Sequence, residues 1–269
     1  MEILILGHII GDFYIQTNNV ASKKNQSFWY MLLHCFLYTI IMCGFLTACF
    51  GSFIKGIKVA IIIGISHILI DTIKLKIKSK YVKVIKYEYI LFLIDQILHI
   101  IILFFICFFF PIEFQRDKYI LLSLGHGIRL QKVIVTVIAG LICWKPTAIL
   151  VSLVFKVIPK TVEEADYDKE EYVKAAEVNK VLEKPMTYKN IDNNKEVLRI
   201  GSWIGILERE IILLLGLLGQ YGAIGFVLTA KSLARYKQLE NKAFAEKYLV
   251  GTLLSSFIAI ACVSICSLI

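Results

Sequence analysis

The chain reads as an all-α, polytopic transmembrane helical bundle of about eight spans or part-spans. Three observations predict it. Hydrophobic residues fill 58% of the 269 positions and the mean hydropathy is +0.71, above the roughly half apolar content of a soluble domain. Several apolar runs reach the ~20 residues that a helix needs to cross a bilayer core of ~30 Å. The formal charge of +9 is bunched, as lysines are on loops between spans.

In order along the chain, apolar helices are expected near 2–20, 27–50, 56–76 and 88–111. The first carries Asp12 and Gln16 and has no small-residue cleavage pattern after it, so it reads as a retained span. Residues 116–130, with Arg116, Asp117, Lys118, His126 and Arg129, suit the interface. Residues 131–158 are apolar but interrupted at Trp144-Lys145-Pro146, which fits one kinked span or two half-spans. A charged stretch from Glu163 to Glu183 reads as a solvent-exposed insertion, with one helix expected to begin at Thr161 and end before Pro185. Spans near 201–219, 221–236 and 246–268 complete the chain. Four regions result: a core with the His/Asp site at 1–115, an interfacial and kinked part at 116–159, a soluble insertion at 160–200, and a C-terminal helical part at 201–269.

Lys23 and Lys24 follow the first span, and Lys74, Lys76, Lys78, Lys80, Lys83 and Lys86 follow the third. With alternating spans these loops share a side, which the positive-inside rule makes cytoplasmic, with the N-terminus outside. Lys55 and Lys58 are a modest counter-signal. Lysines flanked by spans suit anionic lipid and argue against nucleic acid as a partner. The seven cysteines form no C-x-x-C pair, so no zinc ribbon or disulfide framework is indicated and they read as small packing residues.

Four of the five histidines lie in the first four spans, and each aspartate there sits four residues from one of them. The pairs are His8/Asp12, His67/Asp71 and Asp95/His99, with His34 alone on the second span. That spacing puts both side chains on one helix face. Imidazole nitrogen beside carboxylate oxygen is half a coordination sphere. Alternating topology places all seven groups in one leaflet, where ionisable side chains are costly unless paired or metal-bound. Seven donors exceed a closed structural zinc site. They fit one or two divalent ions, zinc foremost, with spare carboxylates orienting the imidazoles. A single transmembrane His would be read as a hydrogen-bonding residue; three pairs at one spacing ask for more.

A second polar group interrupts the C-terminal spans: Glu208, Arg209 and Glu210, then Lys231 and Arg235. Lys231, Arg235 and Arg209 could hold an anion such as a phosphate headgroup, or simply neutralise Glu208 or Glu246.

The stretch Gly7-His8-Ile9-Ile10-Gly11-Asp12-Phe13 with Gln16 and Lys23 resembles an uncharacterised bacterial membrane family, domain of unknown function 3307. His34, His67-Ile-Leu-Ile-Asp71 and Phe92-Leu-Ile-Asp95-Gln-Ile-Leu-His99 fit the same resemblance. So do Gly201-Ser-Trp-Ile-Gly205, Leu207-Glu-Arg209, Ala230-Lys-Ser-Leu-Ala-Arg235 and Glu246-Lys-Tyr-Leu-Val-Gly-Thr252. The resemblance implies a multi-pass protein of the bacterial cytoplasmic (inner) membrane and brings no activity with it. The His-x-x-x-Asp motif is more loosely similar to inner-membrane proteins classed as metal-dependent hydrolases.

Three functions compete on these residues. A metal-dependent hydrolase would use the seven donors for metal and Asp71 or Asp95 as general base, acting on a lipid phosphoester. A metal-ion or proton transporter or channel would use them as a transient site and should show broken helices beside it. A haem protein would need two histidines but no paired aspartates. The oligomeric state is not legible.

Overall fold

The structure, a computed structural model, describes residues 1–15, 27–50, 52–80, 87–110, 130–158 and 189–269, with backbone only for 48–50, 79, 80, 130 and 189–200. Gln16, Lys23, Lys24, Lys83, Lys86, the interfacial segment with His126, and the predicted Thr161–Pro185 helix lie outside the described residues. What is described is all-helical: α1 (Glu2–Ile9), a π-helical turn (Ile10–Tyr14), α2 (Phe28–Phe50), α3 (Phe53–Lys80), α4 (Glu88–Phe109), α5 (Leu130–Phe155), α6 (Lys189–Leu217), α7 (Tyr221–Ala234), the short α8 (Tyr236–Leu239) and α9 (Lys242–Ser267).

Five of these helices, α2, α3, α4, α5 and α9, are long and apolar enough to cross a membrane. Their outward faces agree: Ile65 and Leu69 on α3, Phe104, Phe108 and Phe109 on α4, and Phe257 on α9 are all exposed. Continuous apolar exteriors of this kind belong against lipid. The chain is thus a multi-pass membrane protein. The other three expected spans correspond to the α1 segment with its π turn, to α6 and to α7, none of which is among the five. Residues 2–14 rise only about 20 Å, and the fourteen residues of α7 about 21 Å, at 1.5 Å each. The helix expected from 201 begins twelve residues earlier, at Lys189, inside the charged insertion.

α2 and α3 lie antiparallel, in register from Met31 beside Thr72, through Tyr38 on His67, to Thr47 beside Gly56. Close approach is set by glycine: a Cβ on Gly64 would collide with Thr39. The π turn packs on α2 by the same device, where a Cβ on Gly11 would stand 2.8 Å from the Tyr38 ring. Leu4, Met42, Leu46, Val59, Ile63, Leu103 and Ile106 fill the space between these helices at the end away from Lys74. Ile9 and Phe13 join α1 to Ile138 of α5. The C-terminal helices form a second core around Cys143, Ile212, Ala259 and Cys262.

α5 resolves the choice left open at Pro146: it is one continuous helix with the proline inside. Proline removes the N–H that would reach the Ile142 carbonyl. The Thr147 hydroxyl donates to that carbonyl instead, at 2.6 Å. One residue earlier, the Tyr14 hydroxyl sits in the ladder, donating to Leu141 O (2.8 Å) and accepting from the Lys145 N–H (3.3 Å). Arg209 Nε donates to the Cys143 carbonyl at 2.5 Å. Neighbouring side chains thus satisfy backbone groups that apolar surroundings cannot.

Candidate metal centre

All seven predicted donors converge in one place. His8 and Asp12 come from α1 and its π turn, His34 from α2, His67 and Asp71 from α3, and Asp95 and His99 from α4. None is more than 7% exposed. The π turn matters locally: the Ile15 N–H reaches Ile10 O, five residues back, at 3.2 Å. The extra residue this places in the turn lies where Asp12 meets His34, a position typical of such bulges at functional sites.

His67 is the hub. Its Nδ1 lies 2.5 Å from His99 Nε2 and its Nε2 lies 3.2 Å from His34 Nε2. His99 Nδ1 is 2.7 Å from the Asp95 carbonyl, which only accepts. Nδ1 therefore carries the proton, and Nε2 turns its lone pair toward His67. A neutral His67 has one proton for two nitrogen neighbours. Three imidazoles facing one another nitrogen to nitrogen is a geometry that a shared cation stabilises.

The carboxylates surround this row. Asp12 Oδ1 is 3.1 Å from His34 Nε2, and Asp71 Oδ2 is 3.8 Å from both His34 Nε2 and His67 Nε2. Asp95 Oδ2 accepts from Lys74 Nζ at 2.6 Å and from Gln96 Nε2 at 3.2 Å. Its other oxygen, Oδ1, is buried without a hydrogen-bond partner among the described residues and lies 4.0 Å from His99 Nδ1. A buried carboxylate oxygen left unpartnered is costly, and a cation would relieve it.

Three groups bring ligand atoms within 4.8 Å of one another: Asp12/His34/His67, Cys35/His67/Asp71 and Asp71/Asp95/His99. His67 links the first two and Asp71 the last two. These residues fit a divalent ion, with donors of the right chemistry already at close range. His8 stands slightly apart. Its Nδ1 is 3.1 Å from the Tyr38 hydroxyl and its Nε2 is 3.2 Å from Gln96 Oε1. Since the amide oxygen only accepts, Nε2 holds the proton and Nδ1 accepts from Tyr38. Gln96 then donates to Asp12 Oδ2 at 3.0 Å. His8 is thus tied to the carboxylates through Gln96.

Residues 1–123 match a family model described as a protein of unknown function (DUF3307). The matched segment contains every residue of this centre and stops before α5. No curated protein and no solved structure matches the chain.

Tyr38, Gln96, Lys74 and Cys35 belong to the site without having been singled out for it. Two had a signal: Tyr38 lies four residues after His34, and Gln96 directly follows Asp95. Lys74, three residues after Asp71, is the innermost of the lysines that mark the loop, and it turns inward to Asp95. Farther out at the same end, Glu88 is held by Lys78 at 2.6 Å and Lys156 at 3.1 Å, which ties α3, α4 and α5 together.

The second polar group is built differently from an anion cradle. Lys231 is paired with Glu208 and donates to Thr252 Oγ1 at 3.1 Å. Arg209 spends its guanidinium on the Cys143 carbonyl, Ser255 Oγ (3.0 Å) and the Trp144 carbonyl (3.4 Å). Arg235 lies 6.0 Å from the centroid of the Phe244 ring. The geometry places Lys231 as the counter-charge of Glu208 and Arg209 as the donor that serves the interrupted α5. For haem, the 2.5 Å approach of His67 to His99 leaves no room for a macrocycle between them.

Proposed function

We propose that this chain is a membrane-embedded metalloprotein that hydrolyses a membrane-associated phosphoester. The observation that carries the metal is the buried Asp95 Oδ1, unpartnered beside Asp71 and His99 within a cluster of three carboxylates and three converging imidazoles. Asp12, His34, His67, Asp71, Asp95 and His99 would hold one or two divalent ions, zinc foremost, with His8 orienting Asp12 through Gln96. When bound, the metal supplies Lewis acidity and activates water near neutral pH.

The chain's own residues supply the rest. Asp71 lies in two of the three groups and is the carboxylate best placed to take a proton from water, with Asp95 second. Lys74 and Gln96 hold one oxygen of Asp95 and so aim the other. The bundle walls exclude bulk water, which strengthens each of these interactions. Placement supports the substrate class. The Lys74–Lys78 end of the bundle suits the cytoplasmic leaflet of a bacterial inner membrane, where a lipid phosphoester headgroup would meet the site. Membrane lipid is the partner on this reading, and nucleic acid is not.

The test is elemental analysis of protein purified without chelator, followed by headgroup release from defined phospholipids. Divalent metal is expected in the intact chain and should be lost in His34→Ala and Asp95→Ala. A metal-free wild-type protein that is folded would end the reading.

One observation favours a second reading, a metal-ion or proton transporter. The interrupted α5 touches the π turn that carries Asp12, through Tyr14 and through Lys145 Nζ on the Phe13 carbonyl at 3.2 Å. Irregular helical backbone beside a site is a feature that transporters share. Zinc flux into proteoliposomes, without hydrolysis, would decide for it.

A further inference from the structure

The cysteines of a membrane chain ordinarily pack as small apolar residues. Cys35 is placed differently from the other described cysteines. It follows His34 on α2, is fully buried, and brings its Sγ within 4.8 Å of ligand atoms of both His67 and Asp71. That group shares His67 with the Asp12/His34 group and Asp71 with the Asp95/His99 group. Cys35 therefore stands beside one residue of each neighbouring group, His67 of the first and Asp71 of the other. By contrast, Cys43 on the same helix packs against the apolar core of α1 to α4, and Cys143, Cys262 and Cys266 lie in the C-terminal core.

We propose that Cys35 is a sulfur ligand of this centre, binding the ion held by His67 and Asp71. The inference rests on the metal-centre reading above and adds to it the identity of the metal. Oxygen and nitrogen donors alone would accept magnesium or manganese. One thiolate shifts preference toward zinc, cobalt and other thiophilic ions, because thiolates are soft ligands and hard ions decline them. Binding is written with its balance: the thiol releases its proton to solvent as sulfur coordinates, with no change of oxidation state. Zinc uptake through Cys35 therefore releases one more proton than uptake without it.

The experiment is titration of the full chain in detergent with cobalt(II), whose visible bands report binding and whose near-ultraviolet charge-transfer band reports sulfur ligation. Wild type should show both. Cys35→Ser should keep the visible bands and lose the near-ultraviolet one. Cys43→Ser, on the same helix, should keep both. Zinc affinity should fall at least about tenfold in Cys35→Ser, while any magnesium or manganese binding stays unchanged. Visible bands without the near-ultraviolet band in wild type would overturn the sulfur ligand and leave the metal centre standing. So would an unchanged spectrum in Cys35→Ser. Wild-type protein that gives no visible bands would remove the metal centre, and this ligand with it.

Discussion

Gln96 is the residue whose replacement tests the architecture of the centre most sharply. Its amide accepts from His8 Nε2 and donates to Asp12 Oδ2 and Asp95 Oδ2, at 3.2, 3.0 and 3.2 Å. Gln96→Leu keeps the approximate volume and deletes all three bonds. A hydrogen bond to a charged group contributes about 1.5–3 kcal/mol, and a neutral one about 1 kcal/mol. Asp95 Oδ2 keeps Lys74 and Asp12 keeps His34, so the loss at each carboxylate falls toward the lower bound. The expected destabilisation of the metal-free protein is about 3–4 kcal/mol. Thermal unfolding in detergent, with and without zinc, measures it. Zinc should bind about 10–100-fold more weakly, as it does when groups that orient ligands are removed. Gln96→Glu provides the opposite sign. A third carboxylate beside Asp12 and Asp95 should destabilise the metal-free chain and make zinc stabilise it more than it does wild type. If Gln96→Leu unfolds and binds zinc as wild type does, the network does not orient the donors and the reasoning fails.

The interrupted α5 makes a second prediction. Thr147→Val should cost about 1–2 kcal/mol by stranding the Ile142 carbonyl, and Pro146→Ala should restore that loss, because the new N–H reaches the same oxygen. Additive effects of the two substitutions in a double-mutant cycle of unfolding would contradict this account. Arg209→Met should cost about 3–5 kcal/mol, since it removes the charged donor to two carbonyls and a serine hydroxyl next to the Glu208–Lys231 pair. Zinc content should not change in that variant. A loss of phosphate binding with unaltered stability would instead make Arg209 an anion ligand.

The donor set was readable because it is a local property. Residues four apart on a helix share a face in any fold, so His8/Asp12, His67/Asp71 and Asp95/His99 declare themselves as pairs before the helices are assembled. Ionisable groups inside apolar runs also mark the interior, since lipid rejects them. The length and apolar content of α2, α3, α4, α5 and α9 were readable for the same reason: a crossing sets a minimum run of apolar residues, wherever it packs.

Only the tertiary structure decided which neutral residues join the site. In a membrane both faces of a helix are apolar, so periodicity does not separate the face that meets lipid from the face that meets protein. Tyr38, Gln96 and Cys35 are tolerable on either face. Their membership depends on how far α2 and α4 are rotated, which Gly11 against Tyr38 and Gly64 against Thr39 help to set. Lys74 has the same ambiguity at the end of a span, where a lysine can turn to water as easily as to Asp95. Arg209 and Lys231 read as candidates for an anion because their partners are remote in sequence: two carbonyls on α5 just before Pro146, and a glutamate one helix away. The sequence alone determined that there is a polar centre and which charged groups build it. The packing of four helices decided its geometry, its supporting bonds and its sulfur.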